Sequence, residues 1–446
     1  MNKSLEEINN TVPIPDRKDS KLKKLIAFSG PGALVAVGYM DPGNWITSIQ
    51  GGSLYGYLLL SVILLSSLIA MLLQSMCAKL GIVTGMDLAQ STKNLVGKKI
   101  SFILWIISEL AIIATEIAEV IGSAIALNLL MKIPLIIGVA ITVLDVFLLL
   151  ILLKYGIRTI EALVFVLIST IFCIFLYEVA LANPNINSII YSFIPSKDIL
   201  TAHVEQGESA FFIALGIVGA TVMPHNLYLH SSIVQSRRYN RKDKNALKEA
   251  IKYAKIDSNI QLSFSFFINC LILILGSALF FGKNPEDIGR FTQLYDALQD
   301  NSMVGTIASS SLATLFALAL LFSGQNATIT GTLTGQIVME GFINLKLSIW
   351  KRRIITRLIA ITPVIICVYF WDGKEDLVEK LLVYTQIFLS LSLPVSMVPL
   401  LYLTSSKKIM GKFVNCISAS AVGWLSTGVL IILNSQLILE TIKSSF

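Results

Sequence analysis

Long apolar stretches with few charged residues follow one another along almost the whole sequence. Each is about as long as the ~20 residues that an α-helix needs to cross the hydrocarbon core of a membrane. None shows the alternating pattern of a strand in a membrane β-barrel. The pattern therefore predicts an all-α polytopic membrane protein with eleven transmembrane helices. The predicted spans lie at 25–50, 54–78, 102–130, 134–153, 160–182, 209–234, 258–282, 304–340, 354–371, 381–403 and 413–436.

The composition excludes a soluble protein. Of the 446 residues, 54% are hydrophobic and only 14% are charged, whereas soluble chains carry about 25% charged residues. With the N-terminus inside, 28 of the 35 basic residues fall in inside segments. This bias predicts a cytoplasmic N-terminus and an extracellular C-terminus, and it explains the net charge of +7 without nucleic-acid binding. Short loops and the lack of targeting segments favour a multi-pass protein of a bacterial inner membrane, which is the plasma membrane of the cell.

Two of the spans contain helix-breaking residues near mid-membrane. The first span contains GYMDPGN at 38–44, and the sixth contains ATVMPHN at 220–226. Proline removes a backbone donor and clashes with the preceding turn, so both helices should be unwound there. Unwound backbone at this depth must be buried in protein or line a cavity.

The two breaks also align with each other, because Pro42 and Asn44 match Pro224 and Asn226. Breaks in the first and sixth spans predict two inverted repeats of five helices, with a transport site between the discontinuous helices. The predicted parts are a flexible cytoplasmic tail over 1–24, a first repeat over 25–182, an extracellular loop over 183–208, a second repeat over 209–403, and the eleventh helix with the C-terminus over 404–446.

Asp41 is the first candidate for chemistry, since a charged residue inside a membrane is costly and is by default a functional-site hypothesis. The alternative is a structural aspartate that caps the broken helix. Asn44 offers an amide oxygen, Met223 offers a thioether, and unwinding frees the carbonyls of Gly38 and Ala220. Ca²⁺ and Mg²⁺ prefer oxygen ligands alone, whereas a thioether favours transition ions and oxygen ligands still suit Mn²⁺ and Fe²⁺. This set of ligands predicts a site for a divalent transition metal ion.

Further ionisable residues lie within the spans. Spacings of seven and three residues put Glu109, Glu116 and Glu119 on one face of the third helix. Histidine titrates near neutrality, so a proton route from Asp41 through His225 to Glu119 and Glu116 is one interpretation. The other is structural pairing of these glutamates with basic residues of the ninth span. These basic residues are Arg352, Arg353 and Arg357.

Other chemistry is not indicated by the sequence. The zinc motif HExxH and the phosphate-binding pattern GxxxxGK[ST] are both missing, which argues against a membrane protease and an ATP-driven pump. We therefore expect a protein that is not an enzyme and has no cofactor, with Mn²⁺ or Fe²⁺ as transported substrate and H⁺ as the coupled ion. The expected surroundings are the lipid bilayer, without nucleic acid and without an obligate protein partner. Asp145 and Glu178 receive no role.

Three motifs resemble the Nramp family of proton-coupled divalent-metal transporters. They are DPGN at 41–44, ATVMPH at 220–225, and GQNATITGT at 324–332 running into GQIVMEGF at 335–342. The resemblance covers essentially the whole chain. It implies a LeuT-type fold with a 5+5 inverted repeat, and uptake of Mn²⁺ or Fe²⁺ with protons by alternating access.

The resemblance also implies roles for individual residues. The implied metal ligands are Asp41, Asn44 and Met223 through their side chains, Ala220 and Gly38 through their carbonyls, and Gln386 in one conformation. The implied proton pathway comprises Asp41, His225, Glu116 and Glu119, with Arg352 and Arg353 as partners on the inner side.

The chain departs from the family pattern at two positions, and two other functions remain open. Gly38 stands where the family often has alanine, and Ser392 stands where many members have glutamine. Met223 is present, which disfavours the family's Mg²⁺ branch. One alternative is a sodium-coupled amino-acid permease of the same architecture, although Asp41 and Met223 argue against it. The other is a metal-sensing receptor that does not transport, although no soluble sensory domain is evident.

Overall fold

The structure, a computed structural model, describes residues 4–15, 18–145, 151–152, 155–204, 208–282, 289–300, 310–370 and 375–445. Within these ranges the regular secondary structure is helical, and the one backbone bridge of β type joins Val12 to Arg237. The first half contains α1 (Lys21–Phe28), α2 (Pro31–Val37), α3 (Pro42–Tyr55), α4 (Leu60–Thr84), α5 (Leu88–Met131), α6 (Leu135–Ile141) and α7 (Ile157–Ala182). The second half contains α8 (Ala210–Thr221), α9 (Pro224–Ile233), α10 (Lys244–Phe280), α11 (Phe291–Ala297), α12 (Ser310–Ile343), α13 (Ile349–Phe370), α14 (Glu375–Ser405) and α15 (Ile417–Ser445).

The predicted all-helical membrane architecture is confirmed, since each of the eleven predicted spans contains a helix. In the described part of the chain, eight helical segments are long and apolar enough to cross a membrane. Large apolar side chains are exposed along their outer faces, including Ile417 at 89% and Leu425 at 69%. Such a surface suits lipid, because a soluble monomer rarely exposes large contiguous apolar patches.

Some boundaries differ from the prediction. The helix α10 begins at Lys244 rather than near 258, because its first turns are polar and good helix formers that extend beyond the apolar span. The helix α5 begins at Leu88 rather than near 102, and it is kinked at Gly97, whose φ of 78° is available to glycine. The predicted spans 134–153 and 304–340 lie partly outside the described residues.

The N-terminal region also differs from the prediction. A flexible tail is predicted over 1–24, whereas residues 4–14 pack against the ends of α9 and α12, and α1 begins at Lys21. Leu5 and Val12 are buried there. The sequence does not reveal this docking because the segment is polar and its partners lie more than two hundred residues away. We call this side of the molecule the N-terminal face.

Helix packing brings the two broken spans to the centre. The helix α5 packs along α12, α10 packs against α2, α3 and α4, and α14 packs against α5 and α8. Toward the face opposite the N-terminal face, four buried aromatic side chains form a connected cluster. Trp45 of α3 meets Phe175 of α7 edge-on at 4.7 Å, and Phe316 of α12 lies 6.2 Å from both Trp45 and Phe291 of α11. This aromatic cluster links α3 of the first broken span to α7, α11 and α12.

Candidate metal site

The break in the first span centres on Asp41. The helix α2 ends at Val37, one turn of 3₁₀ helix covers Gly38–Met40, and Asp41 is extended before α3 begins at Pro42. One carboxylate oxygen, Asp41 Oδ1, accepts a hydrogen bond of 3.0 Å from the backbone N–H of Asn44. This hydrogen bond caps α3. The other, Oδ2, is buried without a hydrogen-bond partner. Asp41 therefore caps the helix with one oxygen and keeps the second available as a ligand.

The break in the sixth span lies at Val222 and Met223, between the end of α8 and the start of α9 at Pro224. Met223 is fully buried. Its side chain belongs to a small apolar cluster with Ala111 and Ala114 of α5 and Leu389 of α14. The predicted unwinding is thus present in both spans.

The carbonyl groups of Gly38 and Ala220 occupy equivalent positions in the two breaks. Each lies four residues before a proline, Pro42 or Pro224, and proline has no N–H to donate to the carbonyl of the preceding turn. Neither carbonyl can therefore make the usual α-helical hydrogen bond. The break itself supplies the polar backbone that a site would use.

Asn44 connects the two breaks. Its side-chain nitrogen, Nδ2, donates to the Tyr39 carbonyl at 2.7 Å and to the Ala220 carbonyl at 3.3 Å. This arrangement turns the amide oxygen, Asn44 Oδ1, away from these acceptors, and that oxygen is buried without a partner. A second amide, Asn269 of α10, also donates to the Tyr39 carbonyl at 3.0 Å.

Gln386 of α14 lies beside the first break. A β-carbon at Gly43 would be only 1.8 Å from Gln386 Nε2 and 3.1 Å from Asp41 Oδ2, so a side chain there would displace the Gln386 amide. The Gln386 nitrogen donates to Thr385 at 3.1 Å, whereas its oxygen, Oε1, is buried without a partner. A β-carbon at Gly38 would likewise be 2.0 Å from the side-chain amide nitrogen of Asn226.

Three unpartnered oxygens thus come from neighbouring parts of the structure: Asp41 Oδ2, Asn44 Oδ1 and Gln386 Oε1. Buried polar atoms are normally hydrogen-bonded, so such a group calls for an explanation. A cation bound beside Asp41 would supply a partner for Asp41 Oδ2 and Asn44 Oδ1, whereas Gln386 turns its amide nitrogen toward Gly43. In the described ranges no cluster of three His, Cys, Asp or Glu side chains could hold a metal, and a metal at this candidate site would have one carboxylate together with amide oxygens.

The acidic residues of α5 are paired with arginines of α13. Arg353 lies 2.9 Å from Glu116 and 3.5 Å from Glu119, and all three side chains are fully buried. Arg352 pairs with Glu109. The structural pairing considered from the sequence is therefore present, and it does not exclude proton transfer through the same groups.

Asp145 is a member of this charged cluster that sequence reasoning missed. It lies 3.3 Å from Arg353 and also pairs with Arg357, which is 3.8 Å from Glu119. The Thr328 hydroxyl donates to Glu119 at 3.0 Å. The sequence shows Asp145 only as a single acidic residue in an apolar span. Its partners lie on other helices and cannot be identified from the sequence.

His225 and His230 are both buried on α9. In the described structure, the hydrogen-bonding neighbour of the His225 ring is Thr115 of α5, at 3.5 Å, rather than a glutamate. Thr115 directly precedes Glu116, so His225 faces the helix that carries the acidic cluster. His230 contacts Gln74 of α4 at 3.0 Å.

The fold and site together define a class of membrane transporter built on two broken helices. A solved structure of Mhp1, a nucleobase-cation-symport-1 family transporter, matches this chain with a TM-score of 0.60 at 14% identity. The match covers 95% of this chain and 92% of the Mhp1 chain. This similarity shows the LeuT-type fold. The family model for natural resistance-associated macrophage protein-like proteins, Nramp, matches residues 32–440. The chain belongs to the Nramp family, whose members are transporters and not enzymes.

Individual relatives are similar over nearly their full length. A Staphylococcus saprophyticus protein named divalent metal cation transporter MntH is 58% identical over 442 residues, covering 99% of this chain and 98% of its own. A crystal structure of the Eremococcus coleocola manganese transporter is 50% identical, with a TM-score of 0.91, and covers 97% of this chain and 90% of that one.

Proposed function

We propose that this chain imports divalent transition metal ions, Mn²⁺ and also Fe²⁺, together with protons. The metal ion binds between the two broken spans, and the broken-helix bundle rocks around it to expose the site to each face in turn. The first repeat, over 25–182, and the second, over 209–403, supply one break each. The protein lies in a bacterial plasma membrane with its N-terminal face in the cytoplasm and its C-terminus outside.

The observation that carries this proposal is the group of three unpartnered buried oxygens from Asp41, Asn44 and Gln386. A carboxylate and two amide oxygens suit a partly dehydrated dication. The Ala220 carbonyl already lies within reach of Asn44, and Met223, three residues further on, would add a thioether. The names of the relatives, a divalent metal cation transporter and a manganese transporter, support the same substrate class.

The charged cluster supports proton coupling. It holds four carboxyl groups and three guanidinium groups, from α5, from α13 and from Asp145, which follows the 3₁₀ turn after α6. Buried charges are stable mainly when balanced, so a cluster with one more acid than base can hold a proton. Glu119 is the candidate carrier because its ion pairs are looser than that of Glu116: it lies 3.5 Å from Arg353 and 3.8 Å from Arg357, whereas Glu116 lies 2.9 Å from Arg353.

The test is uptake of Mn²⁺ into proteoliposomes by the full chain and by two aspartate variants. Asp41→Asn keeps an oxygen to cap α3 but loses the charge, and we expect uptake to fall to background. The matched control is Asp87→Asn, because Asp87 is also a buried helix cap, accepting from Gln90 at 2.8 Å, but it lies at the start of α5. The control should transport normally. Retained uptake by Asp41→Asn would reject the proposed site.

Proton coupling is tested in the same vesicles with an imposed pH gradient. Acid outside should accelerate Mn²⁺ uptake by the parent chain, and Glu119→Gln should remove that acceleration because the proton carrier is lost. Unchanged dependence on the gradient in the variant would show that Glu119 does not carry the proton.

A further inference from the structure

We propose that residues 4–14 form a strap that holds the N-terminal face of the transporter closed. The inference takes one assumption from the proposed function, namely that this face opens when an ion passes. The strap joins the end of α9, which belongs to the second broken span, to the end of α12.

The first attachment is a short piece of parallel backbone pairing. The Asn10 amide donates to the Gln235 carbonyl and the Val12 amide to the Ser236 carbonyl, both at 3.0 Å. The Arg238 amide donates back to the Val12 carbonyl at 2.9 Å. Val12 is buried at 5% exposure. Backbone bonds with a buried side chain make this the firmer of the two attachments.

The segment that receives the strap is itself a junction between helices. Arg237, buried beside Val12, pairs with Glu161 of α7 at 2.5 Å and donates to the Ala27 carbonyl of α1 at 3.2 Å. It also donates to the Ser29 carbonyl. The strap is therefore fastened at the place where the second broken span meets the start of the first.

The second attachment lies at the other end of the strap. The Leu5 amide donates to the Glu340 carboxylate of α12 at 2.9 Å, and Leu5 and Ser4 are both buried. A pair between Glu6 and Lys346 lies nearby at 3.3 Å. That pair is exposed on both sides and contributes little. This end depends on one hydrogen bond and one buried leucine.

The strap between these ends is folded up rather than stretched. Leu5 and Asn10 have φ values of 47° and 55°, in the left-handed region that is unfavourable for a residue such as leucine. Seven peptide units can extend to roughly 24 Å. The covalent chain therefore does not limit how far α9 and α12 can separate, whereas the hydrogen bonds and buried side chains do.

Opening of the N-terminal face moves the ends of α9 and α12 apart, so one attachment must release. The Leu5 end releases first because it has fewer bonds and a residue in an unfavourable backbone conformation. Releasing the strap lowers the free energy of the open state relative to the closed state, and the open population rises.

The experiment measures the distance between spin labels on the two sides of the strap by double electron–electron resonance. Labels go on cysteines at Lys242, after α9, and at Leu345, after α12, both exposed. The exposed Cys173 and Cys416 are first replaced by serine. The variants are a deletion of residues 2–14, which removes both attachments, and Leu5→Asp, which places a charge beside Glu340. The control is Glu7→Gln, at an exposed position on the strap.

We expect the deletion and Leu5→Asp each to increase the long-distance population by at least about twofold, and Glu7→Gln to leave it unchanged. An unchanged distribution after the deletion would overturn the strap, since its attachments are then certainly gone. The measurement needs no metal ion. A negative result with normal Mn²⁺ uptake therefore rejects the strap alone, and a positive result without uptake by the parent chain rejects the transport function alone.

Discussion

Asp41 uses its two carboxylate oxygens for different tasks. One caps α3, and the other is buried without a partner. The two interpretations drawn from the sequence, a helix cap and a ligand, are therefore compatible in one side chain. The cap also fixes the carboxylate, so in the proposed site the ligand oxygen would be held in place before an ion arrives, and less conformational entropy would be lost on binding.

The thioether of Met223 would set the metal selectivity of the proposed site. Met223→Ala removes the soft ligand and leaves the oxygens, so discrimination against Ca²⁺ should fall more than Mn²⁺ binding does. We expect Ca²⁺ to compete with Mn²⁺ uptake at about tenfold lower concentration in the variant, which corresponds to ~1.4 kcal/mol. Competition assays in proteoliposomes measure this. Equal inhibition of variant and parent by Ca²⁺ would exclude a selective role for the sulfur.

Asp87, at the start of α5, should make stability depend on pH. Burial raises the pKa of its carboxyl from 3.8 to about 6, although backbone amides of the first turn oppose the shift. The folded chain then holds a proton that the unfolded chain has lost, so stability falls as the pH rises from about 4 to about 6.

Asp87→Asn keeps the helix cap, because asparagine caps as well as aspartate, and it removes the cost of the buried charge. The variant should gain roughly 3 kcal/mol relative to the parent between pH 4 and pH 7. Denaturant titrations in detergent at the two pH values measure this gain. A constant difference between the chains would show that the Asp87 carboxyl does not titrate in this range.

Among the helices and their contacts, the two broken helices could be predicted from the sequence. The charged cluster could be predicted only in part, because Asp145 was not assigned to it. Pro42 and Pro224 break their own helices by local rules that need no knowledge of the fold. The place of Asp145 between Arg353 and Arg357 depends on how α5, α6 and α13 pack. Gln386 beside Gly43 was expected only by resemblance to the family, because that contact too is made between helices.

Arg353 should be essential to the stability of the cluster. Arg353→Gln leaves Glu116, Glu119 and Asp145 with less positive charge in a fully buried place. Removing one partner of a buried pair typically costs 3–5 kcal/mol, and we expect a loss of about that size in denaturant titrations. The control is Lys351→Gln, two residues earlier on α13 and exposed. Equal stability of the two variants would contradict the buried pairing.

At the scale of the whole molecule, the apolar pattern predicts the helices well because lipid requires long, regular, apolar segments. It predicts less where the chain leaves the membrane. The first turns of α10 and the docked residues 4–14 are polar, so the apolar pattern does not extend to them. Their structure depends on contacts with distant parts of the chain rather than on lipid.

The charge bias along the chain predicts the direction in which the molecule sits in the membrane. In right-side-out vesicles, a membrane-impermeant thiol reagent should label Ile186→Cys, which lies in the loop over 183–208 and is 68% exposed. It should not label Lys242→Cys until the vesicles are opened. The exposed Cys173 and Cys416 are replaced by serine in both chains. Labelling in the reverse pattern would invert the proposed orientation.

The aromatic cluster of Trp45, Phe175, Phe316 and Phe291 has a thermal consequence for transport. Its contacts are apolar and carry no net charge, so salt does not screen them, and their contribution weakens on cooling. The N-terminal face also has buried apolar side chains, among them Leu5 and Val12, but it adds the ion pair of Arg237 with Glu161 and backbone hydrogen bonds. Cooling should therefore weaken the contacts of the aromatic cluster more than those of the N-terminal face, and in the proposed transport cycle it would favour opening on the side away from that face.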